Sequence, residues 1–161
     1  AQKGIYRIIH PFVDFYFTYI YPYMSALQVL SVGEYYNMYI YPSFRRYVST
    51  CFKKVCRQYL EKLNEHGKLP FHYESSGEWV GKDGTIDIIA QDAEGKTLVA
   101  LCNWEKPMMT YEDYEWVLSC AKKARIHVDY IYLYTASRFD EKLDLEAKIR
   151  KNLRLIQVSD I

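Results

Sequence analysis

The stretch FHYESSGEWVGKDGTIDIIAQDAEGKTLVALCNW, residues 71–104, decides how this chain folds. Its apolar residues come in short runs: Glu78-Trp79-Val80, then Ile86-Asp87-Ile88-Ile89-Ala90, then Thr97-Leu98-Val99-Ala100-Leu101-Cys102. Gly81, Asp83-Gly84 and Glu94-Gly95 stand between them, where turns are needed. Short runs of this kind, punctuated by glycine, predict an antiparallel meander led in by Phe71-His72-Tyr73.

Upstream, the period changes. From Phe44 to about His66, Val48, Cys51, Phe52, Val55, Cys56, Tyr59, Leu60 and Leu63 recur at steps of three and four, which predicts one long amphipathic helix. Lys53, Lys54, Arg57, Lys62 and Glu65 occupy its other face, and Gly67 followed by Pro70 supplies the stop. Downstream, Tyr111, Tyr114, Val117, Leu118, Ala121 and Ala124 mark a second helix, and Val128 to Tyr134 reads as a strand buried on both faces. A charged helix over Asp140–Lys151 and a short strand over Leu153–Val158 complete the chain. The predicted order from residue 44 is α, β, β, β, α, β, α, β: an α/β fold with a mixed sheet flanked by helices.

Residues 1–43 read as an aromatic-rich helical extension, and residues 44–161 as the main domain. Pro11 suits a first helical turn, while Pro22 and Pro42 are expected breaks. No internal repeat or low-complexity linker is recognised. The chain holds 17 tyrosines, crowded between Tyr6 and Tyr59. They fit either a core that caps one side of the sheet or an interface to another part of the molecule or to a second copy. Asp14, Pro22 and Glu34 interrupt the region too often for a membrane span.

With 161 residues there is room for one domain plus an appendage. A formal net charge of +1 gives no global field toward nucleic acid or anionic lipid, so any basic patch is local. Cys51, Cys56, Cys102 and Cys120 form no CxxC pair and lie in apolar stretches, which favours reduced thiols and a cytoplasmic location. No signal peptide is expected. The opening Ala-Gln-Lys-Gly reads as the excised end of a longer polypeptide.

Four phrases carry a family likeness: Glu78-Trp79-Val80-Gly81, Ile86-Asp87-Ile88-Ile89-Ala90, Ala100-Leu101-Cys102-Asn103-Trp104, and Tyr130-Ile131-Tyr132-Leu133-Tyr134 ahead of Arg138-Phe139. Together with the element order they resemble the PD-(D/E)XK nuclease-like domain of unknown function at the C-terminus of archaeal-type AAA+ ATPases. In that family the corresponding phrases run roughly IDIVA, GECKW and a strand leading into a SxxGF-like turn. Upstream, Tyr6-Arg7-Ile8 through Pro11-Phe12-Val13-Asp14-Phe15-Tyr16-Phe17 is similar to the family's segment between a winged helix and this domain, so the likeness spans almost the whole chain.

The resemblance implies a restriction-endonuclease-like core. Its second strand would carry an acid, and its third an acid and a lysine two residues apart, on one face. Such acids hold a divalent metal that activates water at a phosphodiester. Asp87 matches the second-strand acid. Leu101 stands in place of the glutamate, Asn103 in place of the lysine, and Lys53 in place of the acid that follows phenylalanine on the first helix. Leucine cannot ligate a hard cation, and one carboxylate is a poor Mg²⁺ site. A disabled nuclease site is therefore expected, with Mg²⁺ a cofactor only if acids have migrated to Glu105 or Glu78. Any ATPase activity would lie in a missing N-terminal portion.

Lys53, Lys54, Arg57, Lys82 and Lys106 either form a phosphate-binding patch or are an ordinary solvated face balanced by Glu61 and Glu65. Trp79 and Trp104 are expected at the core edge rather than stacked on bases. His10, His66, His72 and His127 show no metal-ligand spacing, and neither GxxxxGK[ST] nor GxGxxG occurs. The expected role is DNA binding or partner docking beside the ATPase portion. The alternatives are an active endonuclease and a structural dimerisation module. No membrane partner is expected.

Overall fold

The computed structural model describes residues 10–82 and 84–161. The likeness at Tyr6-Arg7-Ile8 and the turn residue Asp83 lie outside these described residues. The chain divides into two compact units, the first ending at Cys51 and the second running Phe52–Ile161. This division lies inside a helix, later than the expected boundary at residue 44, because Phe44 and Tyr47 pack with the aromatic rings that precede them.

The first unit is built twice from one pattern. Helix α1 (Pro11–Phe15) widens into a π turn at Tyr16–Ile20 and tightens into a 3-10 turn at Tyr21–Tyr23. Helix α2 (Val32–Tyr35), started by a Ser31–Glu34 capping box, widens into a π turn at Tyr36–Ile40 and enters α3 (Tyr41–Glu65). Both π turns end in the words Tyr19-Ile20-Tyr21-Pro22 and Tyr39-Ile40-Tyr41-Pro42, with Asp14 matching Glu34 and Tyr16 matching Tyr36. An internal repeat is thus present, contrary to the expectation of none. Conservative changes in its first half and the shortness of the identical word hid it.

The π turns have a physical reason. The Tyr21 N–H donates to the Tyr16 carbonyl and the Tyr41 N–H to the Tyr36 carbonyl, five residues back in each case. A proline next in sequence lacks an N–H and crowds the carbonyl four residues before it, and a wider turn relieves that crowding. Pro22 ends its helix within a 3-10 turn, whereas Pro42 does not act as the expected break and lies in the first turn of α3. Tyr19 and Tyr35 are buried, the Tyr35 hydroxyl donating to the Tyr19 carbonyl at 2.6 Å. Tyr19 and Ser43 hydroxyls lie 3.1 Å apart, and Tyr23 stacks on Tyr39 with centroids at 4.3 Å. Many other rings remain exposed, among them Phe12, Phe17, Tyr21 and Tyr41. The tyrosine cluster thus forms a small core of its own, with no sheet residue in it, and leaves other rings exposed.

The second unit is a five-stranded mixed sheet with helices on both faces. Strands β1 (Ser75–Gly81), β2 (Gly84–Gln91) and β3 (Thr97–Asn103) form the antiparallel meander. After α4 (Tyr111–Lys123), β5 (Tyr130–Thr135) joins β3 in parallel; after α5 (Glu141–Ile149), β7 (Leu153–Gln157) joins β5 in parallel. The sheet order is β1-β2-β3-β5-β7. A second, two-stranded sheet of β4 (Met108–Met109) and β6 (Arg138–Phe139) is too short to leave a sequence period.

Strand alternation divides the core. Cys56 and Leu60 of α3 meet Leu98, Ala100 and Cys102 on one face, while Val117 and Cys120 of α4 meet Val99, Ile131 and Leu133 on the other. Helix α3 closes on Gly67 at φ +62, with the Lys68 N–H returning to the Leu63 carbonyl at 2.8 Å. Buried Asn64 then clamps Tyr73, donating to its carbonyl and accepting its N–H, both at 3.0 Å. Gly84 is required by close approach: a Cβ there would lie 2.5 Å from the Cys120 sulfur.

Candidate functional site

The site begins with a fault in strand β2. Gly77 pairs with Ile89 but Trp79 pairs with Ile86, so β2 carries one more residue than β1 over this interval. The bulge breaks alternation. Ile86 packs with the α4 cluster and Ile88 with the α3 cluster, although two residues apart on a regular strand would share a face. Asp87 lies between them. The β2–β3 pairing runs from Gln91↔Thr97 to Ile88↔Ala100 and goes no further. Beyond that point the Asp87 carboxylate replaces the ladder, Oδ2 accepting the Cys102 N–H at 2.8 Å.

Asp87 is 6 % exposed, and a buried carboxylate needs a counter-charge. Lys53 of α3 provides it, with Nζ 2.5 Å from Asp87 Oδ1. Burial pulls the Lys53 ammonium toward neutrality. The hydrogen bond and charge of Asp87 outweigh it, Cys102 and Glu78 add to them, and the Lys53 pKa is raised. One turn further along α3, the Arg57 guanidinium donates to the Asp87 carbonyl at 3.3 Å. Both oxygens of the side chain and the backbone oxygen of Asp87 are thus engaged by the protein itself.

Beneath this pair, the buried Cys102 thiol lies in the same core cluster as Cys56. Cys56 and burial push the Cys102 pKa well above the ordinary thiol range, which leaves that thiol unreactive. Phe52 and Trp104 close the other side, with ring centroids at 5.5 Å. Trp104 is half exposed, and Trp79 is partly buried against the α4 cluster, so both tryptophans stand at the core edge.

The third-strand positions point elsewhere. Leu101 packs with the α4 cluster. Asn103 binds within its own turn, accepting the Lys106 N–H at 2.9 Å and donating to the Lys106 carbonyl at 3.2 Å and to Thr135 Oγ1 at 3.3 Å. Strand β3 ends at Asn103, so Glu105 lies in the following bend and does not share a strand face with it. Glu78 is exposed on β1, near enough for its charge to be felt at Lys53. Lys54 and Lys82 are exposed. Lys106 pairs with Asp113 at 2.5 Å, and Asp113 also accepts the Thr110 N–H. The five candidate cations are therefore not all free: Lys53, Arg57 and Lys106 each have a partner within the chain.

A divalent cation does not fit these residues. Asp87 has no free oxygen, its neighbour is an ammonium, and among the described residues no group of three or more His, Cys, Asp or Glu side chains is placed to hold a metal. The occupants that sequence reading missed are Arg57 on a backbone oxygen and Asp113 as a cap. Asp113 was legible as the third residue after Thr110.

The family model described as archaeal and bacterial proteins of unknown function, DUF234, matches residues 16–118. The chain belongs to the DUF234 family. The match takes in the first aromatic repeat from its π turn onward, the whole of the second, α3, the meander and most of α4, and therefore Asp87 and Lys53. The DUF234 chain is also similar to the uncharacterized protein MJECL04 of Methanocaldococcus jannaschii, 33 % identical over 108 residues, covering 65 % of this chain and 24 % of that protein. It thus spans about a quarter of the length of that relative. No solved structure matches it at a significant level. No helix among the described residues is long and apolar enough to cross a membrane.

Proposed function

We propose that this chain is a PD-(D/E)XK-like domain that has exchanged catalysis for docking, and that it serves as a module of a longer AAA+-type ATPase polypeptide. The observation that carries this reading is the Lys53–Asp87 pair. An ammonium lies 2.5 Å from the one acid that matches the nuclease pattern, and its fixed positive charge stands where a metal would have to bind. The sheet order, with an antiparallel meander followed by parallel strands, supports the nuclease-like fold. The link to an ATPase rests on the sequence resemblance and is consistent with the greater length of the archaeal relative.

Partner docking is favoured over DNA binding because three of the five candidate cations are already occupied, whereas the repeat unit exposes a broad set of aromatic and aliphatic side chains. Fluorescence anisotropy with duplex and single-stranded DNA across salt, with Mn²⁺ present and the DNA run on a gel afterwards, tests this. Intact DNA and no salt-sensitive binding is the expected result. Cleavage abolished by Asp87→Ala overturns the inactive reading. Salt-sensitive binding weakened by Lys54→Gln and Lys82→Gln replaces docking with DNA binding.

A further inference from the structure

The parallel strands offer a second site at the opposite end of the sheet. Asp87 bonds to Cys102, next to the last residue of β3. Tyr130 and Leu153 are the first residues of β5 and β7. Around those two starts, between the loop after α3 and the loop before β7, lies a cavity of about 370 Å³. That volume lies within the range of small-ligand sites.

Its lining is chemically one-sided. Lys68, Lys151 and Arg154 contribute three cations, Tyr130 contributes a partly accessible ring in front of the buried Tyr132 and Leu153, and no carboxylate takes part. None of the three cations is in an ion pair among the described residues. In a chain of net charge +1, this is a local concentration of positive charge without its usual complement.

The aromatic wall is held in place. Tyr132 pairs with Arg154 across β5 and β7, and the guanidinium lies 5.9 Å from the Tyr132 ring centroid. Arg154 is exposed and has no ion pair among the described residues, which leaves its guanidinium donors for a ligand. Tyr130 stacks on Phe71 at 5.6 Å and 20°, with Lys96 Nζ 5.9 Å from the Tyr130 ring, so a fourth cation stands beside the cavity.

We infer that this cavity binds a nucleotide, its phosphate held by Arg154, Lys151 and Lys68 and its base laid against Tyr130. Phosphate recognition by Arg and Lys together with sequence-tolerant stacking is the shared chemistry of a free nucleotide and of the phosphorylated end of a strand. This goes beyond the docking reading, since it uses the other end of the sheet and none of the same residues.

The test is isothermal titration calorimetry of the 161-residue chain with adenosine 5′-monophosphate, inorganic phosphate, and an oligonucleotide with and without a 5′-phosphate. Adenosine monophosphate is expected to bind more tightly than inorganic phosphate, with affinity falling by about tenfold in Arg154→Gln and in Lys151→Gln. Lys54→Gln and Lys82→Gln should leave it unchanged. If Arg154→Gln is poorly folded, Lys68→Gln, at an exposed loop position, reads the same contact. Binding of the phosphorylated oligonucleotide alone supports the site with a strand end as its ligand. Absence of binding by every probe, equal affinity for phosphate and nucleotide, or indifference to all three substitutions overturns it.

Discussion

Two aspartates in the second unit are held in almost the same way, and for different reasons. Asp87 divides its oxygens between Lys53 Nζ and the Cys102 N–H; Asp113 divides its oxygens between Lys106 Nζ and the Thr110 N–H. Both lysines lie at 2.5 Å. Asp113 belongs to a helix start, where a carboxylate in the first turn is favoured whether or not a lysine is near. Asp87 belongs to a strand interior, where a charge is stable only with a partner. The comparison teaches that the Lys106 pair is an addition to a cap, whereas the Lys53 pair is a condition for keeping the acid at all.

Removing the lysines separates the two cases most strongly. Lys53→Met leaves Asp87 buried and uncompensated and should destabilise the chain by about 2 kcal/mol, less than a fully buried pair would lose because Lys53 is itself half exposed. A shift of the urea midpoint measures it. A Lys53→Met, Asp87→Leu double variant should recover part of that loss, the remainder being the orphaned Cys102 N–H, and a strictly additive result would break the comparison.

Asp113→Ala should lose about 1 kcal/mol through the cap, with the loss localised to α4 in amide exchange. Lys106→Met is the smallest effect, about 0.5 kcal/mol or less, since an exposed pair contributes little. If Lys106→Met matched Lys53→Met, the distinction drawn between the two acids would fail.

Alkaline pH sharpens the contrast further. The Lys53 pKa is raised in the folded state, so the folded chain holds that proton more tightly than the unfolded chain does. Its contribution is complete below the ordinary lysine value of about 10.5 and is lost as pH rises through the higher folded value. Tyr35, Tyr73 and Tyr114, whose pKa values burial raises, lose stability in the same direction. The unmodified chain should therefore weaken above about pH 10, and Lys53→Met should weaken less steeply over the same range.

Much of the second unit was legible because each of its elements has its own period. Helix α3 announced itself through Cys56, Leu60 and Leu63, and the meander through glycine at its turns. What could not be read was the bulge. The word Ile86-Asp87-Ile88-Ile89-Ala90 reads as one uninterrupted strand, and only its pairing with both neighbours reveals the extra residue that turns Asp87 toward the Cys102 amide. Lys53 stands where the family pattern has an acid, but its contact with Asp87 joins residues 53 and 87 through tertiary structure and leaves no local trace. In the first unit, the conservative pairs Asp14 with Glu34 and Phe15 with Tyr35 concealed a duplication that two matching π turns make plain.

The bond from the Cys102 amide to Asp87 also has a spectroscopic consequence. An N–H directed at a carboxylate is more deshielded than one directed at a carbonyl, so the Cys102 proton should resonate downfield of the other β3 amides. Its chemical shift would follow the charge on Asp87 and the occupancy of Lys53, giving the chain an internal probe at the centre of its candidate site.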